Sequence, residues 1–75
     1  MFFDVNIKIN LKELPSLLKN QYLELKGYYE TGDDLNFTML VDTFEACVKN
    51  FAIENKITKK MQVDLFHVIG IYWEA

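Results

Sequence analysis

The sequence predicts a mostly α-helical fold, with an N-terminal β-strand followed by a three-helix bundle. Three observations carry the prediction: a period-two alternation near the start, two stretches with apolar residues at helical spacing, and a third, denser stretch near the C-terminus. An α+β fold with a second C-terminal strand is the alternative. Seventy-five residues fit one domain, residues 1–75. With 51% hydrophobic and 15% aromatic residues, the chain has the composition of a globular core rather than of a disordered segment.

From Phe3 to Leu11 the apolar residues Phe3, Val5, Ile7, Ile9 and Leu11 alternate with Asp4, Asn6, Lys8 and Asn10. Such alternation predicts a strand with one buried face. A lone strand needs a partner for its backbone groups. The simplest partner is a second copy, so a homodimer is expected, with Phe3, Val5, Ile7 and Ile9 at its interface.

The first helix is expected to follow, with Pro15 in its opening turn and Leu14, Leu17, Leu18, Tyr22, Leu25 and Tyr29 along one face. Gly32 is its expected stop. Asp33 or Asp34 can then cap a second helix running from about Leu35 to Asn55, whose buried stripe is Phe37, Leu40, Val41, Phe44, Val48 and Phe51. Glu45 and Lys49 form an i,i+4 pair on its far side. Thr58 is the expected N-cap of the third helix, with Met61, Leu65, Val68, Ile69 and Tyr72 on one face. Residues 65–73 are apolar almost all round and rich in β-branched types, so a strand there stays open.

Charge narrows the function classes. The formal net charge is −3, and it is unevenly spread. Residues 30–54 carry Glu30, Asp33, Asp34, Asp42, Glu45 and Glu54 against Lys49 alone. All eight basic residues are lysine, and arginine is the usual reader of phosphate and base edges. Nucleic acid is therefore not an expected partner. The single Cys47 permits no internal disulfide, which fits a reducing compartment. No leader-like run opens the chain and no stretch is apolar enough to span a bilayer, so the cytoplasm is the expected location and no membrane partner is expected.

Catalytic and metal sites are poorly supplied. One Ser, one His and one Cys (Ser16, His67, Cys47) lie far apart in the chain, and an enzyme is not expected. His and Cys total two residues, too few for a zinc site, and Asp33-Asp34-Leu35-Asn36 lacks the spacing of a calcium loop. Neither metal nor cofactor is expected.

What remains is the stretch Tyr28, Tyr29, Glu30, Asp33, Asp34, Asp42 and Glu45, which contains no lysine. Capping and solvation explain part of it. The functional reading is a docking surface for a protein with a basic surface, in which tyrosine supplies contact area and the carboxylates steer the partner in. Tyr29 lies on the apolar stripe of the first helix, so Tyr28 is expected to be the more available ring.

The order strand, helix, Tyr28-Tyr29, acidic turn, helix resembles the first half of barstar-type inhibitors, within the wider class of bacterial toxin-immunity proteins. The matching stretch runs from about Val5 to Phe44, with Glu30-Thr31-Gly32 between the tyrosines and the acid. The resemblance implies an immunity protein that covers the basic site of a toxin domain. Two other readings stay open. One is a small dimeric ribbon–helix–helix-like transcription regulator, with Asn6, Lys8 and Asn10 facing outward. The other is an accessory or structural subunit.

Overall fold

The computed structural model describes residues 1–72. Three α-helices follow a short 3-10 turn at Leu11–Glu13: α1 spans Ser16–Thr31, α2 spans Asp34–Ile53 and α3 spans Lys59–Val68. Helices α1 and α2 form an antiparallel hairpin, and α3 packs back onto α2. Tyr28 and Tyr29 at the end of α1 therefore lie beside the start of α2.

Each helix ends in the same way. Gly32 adopts a left-handed conformation (φ 73°), Gly32 N–H donates to the Tyr29 carbonyl and Asp33 N–H donates to that of Tyr28. Asn55 (φ 59°) and Gly70 (φ 84°) repeat this. Lys56 and Asn55 donate to Phe51 and Ala52, and Ile71 and Gly70 donate to Phe66 and His67. The paired bonds satisfy carbonyls that a helix end leaves open, and they need a residue that tolerates positive φ. Two of the three starts carry side-chain caps. The Asp33 carboxylate accepts from Asn36 N–H at 3.2 Å, and the Thr58 hydroxyl accepts from Met61 N–H at 3.1 Å. Pro15 stands at the N-cap of α1, just before its first turn.

The core lies between the three helices. Leu18, Tyr22 and Leu25 of α1 meet Phe37, Phe44 and Val48 of α2, and Leu65, Phe66 and Val68 of α3 close the other side. Burial pushes the Tyr22 phenol above its ordinary pKa, because the anion would lose its water.

The expected N-terminal strand is not formed: residues 1–10 contain no strand, nor do any other described residues. Two local interactions explain the difference. The Asp4 carboxylate accepts from Asn6 N–H at 2.9 Å and turns the chain, and Asp4 N–H donates to the Val68 carbonyl at 2.8 Å. Phe3 is then inserted among Tyr22, Tyr29 and Phe37, with ring centroids 5.4, 5.8 and 6.4 Å away. Ile7, Ile9 and Leu11 also pack against this core, while Val5 stays exposed. Four of the five alternating apolar residues thus pack on the core from an irregular arm, and none belongs to a backbone ladder. An intermolecular ribbon has no strand to build on, and Phe3 is spent within its own chain. The C-terminal strand alternative fails for a different reason. Residues 65–68 are helical and Gly70 turns the chain, so Ile69 and Tyr72 lie beyond α3; Trp73, at the end of that expectation, is outside the described residues.

Candidate functional site

The acidic stretch is divided by the hairpin into groups with different tasks. At the turn, Glu30 is exposed in the last turn of α1, and Asp33 and Asp34 open α2. Asp33 is committed to capping: besides the Asn36 backbone, its carboxylate accepts from the Asn36 amide at 2.7 Å. The Asp34 side chain is 72% exposed and faces the N-terminal amino group of Met1 at 3.9 Å. An acid in the first turn of a helix meets the positive end of the helix dipole, so the position of Asp34 is favourable for stability alone.

Glu30 is not explained in that way. Its carboxylate stands at the C-terminal end of α1, where the dipole disfavours negative charge, and it adds to the two aspartates across the turn. The aromatic pair is placed in the reverse of the expected order. Tyr28 is half-buried against the core, whereas Tyr29 is 38% exposed and leans on Phe3. The ring available beside the carboxylates is therefore Tyr29.

Asp42 is not part of this corner. It is exposed two turns along α2, on the outward side of that helix. Glu45 is half-buried at the helix edge and lies 3.7 Å from Lys49. The corner proper consists of Tyr29, Glu30 and Asp34, with Asp33 as its scaffold.

The opposite end of the hairpin is different in character. A groove of about 290 Å³ is lined by Glu13, Asn55, Lys56, Ile57, Thr58 and Met61. An adjoining one of about 130 Å³ adds Lys8, Asn10, Lys60 and Asp64. Its charges are largely answered within the chain: Lys60 donates to Asp64 at 2.8 Å, which raises the lysine pKa, and Lys56 lies 3.7 Å from Glu54.

The remaining chemical groups are dispersed. His67 is half-buried under the Tyr72 ring at 4.7 Å, and Ser16 is exposed at the start of α1. Cys47 is half-buried at the core edge, where it accepts a long 3.7 Å contact from the Gln21 side-chain amide. Gln21 is a buried polar residue that sequence reasoning missed, and its side-chain oxygen is buried with no hydrogen-bond partner among the described residues. Its position on the inner face of α1, beside Tyr22 and Leu25, was the available signal. Among the described residues, no three His, Cys, Asp or Glu side chains gather as metal ligands, and no helix is long and apolar enough to cross a membrane. Compared with known proteins, the chain matches no family model, no curated protein and no solved structure.

Proposed function

We propose that this chain is a non-enzymatic protein-binding inhibitor of the immunity-protein kind, whose acidic corner covers a basic site on a partner protein. One observation carries the reading: Glu30 is exposed at the wrong end of a helix dipole, three residues before Asp33 and four before Asp34. Asp33 and Asp34 favour the start of α2, whereas Glu30 adds a third negative charge at an unfavourable helix end, and a cationic partner would account for it. The exposed part of Tyr29 supplies apolar contact area next to them.

Binding would proceed in two stages. The carboxylates of Glu30 and Asp34 steer a basic surface toward the turn, and desolvation of the docked pairs then sets the lifetime of the complex. The test is affinity capture of basic proteins from cells that express this chain, comparing the parent with a Glu30→Gln/Asp34→Asn variant at equal fold stability. A basic protein retained by the parent, released by salt and lost by the variant is the expected result. Equal retention by both would remove the reading, because buried interfacial charge pairs couple by about 1.5–7 kcal/mol.

A further inference from the structure

We propose that the outer face of α2 docks a second copy of this chain, with the two α2 helices antiparallel. Three of the most exposed large apolar side chains in the molecule lie on that face: Leu35 at 72%, Met39 at 66% and Ile53 at 78%. Exposed Ala46 joins them. Residues 35, 39, 42, 46, 49 and 53 follow the alternating four-and-three spacing of a coiled-coil seam. The seam points away from Phe37, Phe44 and Val48, which face the core.

Its two charged positions select the occupant. The seam reads Leu35, Met39, Asp42, Ala46, Lys49, Ile53, so it carries one charge of each sign. A parallel pair would set Asp42 against Asp42 and Lys49 against Lys49. An antiparallel pair about a two-fold axis near Phe44 sets Leu35 beside Ile53 of the second copy and Asp42 beside its Ala46. Lys49 of the second copy then lies level with Met39, one turn from Asp42, within reach of its carboxylate. Lys49 keeps Glu45 at 3.7 Å in its own chain, so its ammonium sits between two carboxylates. A face complementary to itself under a two-fold rotation is what an isologous dimer requires. The small Ala46 at the middle lets the helix axes approach closely.

The size of the face sets the strength. Twenty residues give α2 a length of about 30 Å, and one helix face supplies less than the roughly 800 Å² per partner of a standard interface. A face this small points to a weak dimer whose population depends on concentration. It stands apart from the acidic-corner reading, which rests on Glu30 and Asp34 at the turn.

Sedimentation velocity on the full chain, at concentrations from about 5 to 200 µM, tests it, because self-association follows mass action. The parent is expected to pass reversibly from monomer to dimer. Ile53→Glu, at an exposed position that leaves the core intact, should remain monomeric. Asp42→Lys and Lys49→Asp should each weaken the dimer about tenfold, since the two-fold axis repeats each charge contact, and the double exchange should restore it. A parent that stays at 8.9 kDa throughout would overturn the inference. So would a dimer indifferent to Ile53→Glu, or a double exchange no tighter than either single one.

Discussion

Phe3 anchors the N-terminal arm to the helical hairpin. It is 3% exposed and touches aromatic rings from both helices of the hairpin, whereas Val5, two residues on, is 58% exposed. In a strand with one buried face the two would be equivalent. Here they should behave differently. Phe3→Ala is expected to cost about 3–5 kcal/mol, the range for emptying a buried aromatic site. Val5→Ala should fall within about 0.5 kcal/mol, as exposed positions generally do. Urea melts of the two variants check this, and equal losses would return the arm to a paired strand. The sequence could not separate the two residues, because alternation places both on one face only if the backbone is a regular strand. Asp4 held the missing information: a short carboxylate two residues before Asn6 favours a turn over a ladder.

At the scale of elements, the helix boundaries were largely legible, since they depend on chemistry local in the chain. Thr58 and Asp33 cap the helices where a hydroxyl and a carboxylate were expected to do so, and Gly32 stops α1. The end of α3 was read less well. Gly70 sits inside an apolar run that gives no polar break, yet its positive φ ends the helix just before it. The outward seam of α2 was also missed, because the phenylalanines Phe37, Phe44 and Phe51 on the other face dominate the periodicity. Exposure can be read only once the packing is known. Within the acidic corner, the same logic separates structural from spare carboxylates. Asp33→Ala removes a cap and should lower stability by about 1 kcal/mol. Glu30→Gln removes an acid from the negative end of α1 and should raise it by about 0.3–1 kcal/mol. Opposite signs in thermal melts are the expected outcome. A destabilising Glu30→Gln would mean that its carboxylate serves the fold.

Over the whole molecule, charge is arranged along the hairpin. Glu30, Asp33 and Asp34 mark the turn end, while Lys8, Lys56 and Lys60 line the grooves at the other. A lysine-bearing end invites comparison with a phosphate-binding surface, and the local pairing counts against it. Lys60 is bonded to Asp64, Lys56 stands by Glu54, and Glu13 borders both grooves. A protein that binds duplex DNA gains affinity by releasing counterions from phosphates, which requires lysines not already neutralised by their own carboxylates. The reading of this chain as a regulator further requires a two-stranded ribbon, and no strand occurs among the described residues. We therefore predict no measurable affinity for duplex DNA at about 0.15 M salt, where weak phosphate contacts are screened. A gel shift across a range of salt concentrations, run with the parent and with Lys8→Ala, measures it. Lys8 is the informative position because it lines the smaller groove and, among the described residues, makes no ion pair of the kind that holds Lys56 and Lys60. Binding that falls steeply with salt and disappears in Lys8→Ala would place the partner at the lysine end and displace the acidic corner as the functional surface.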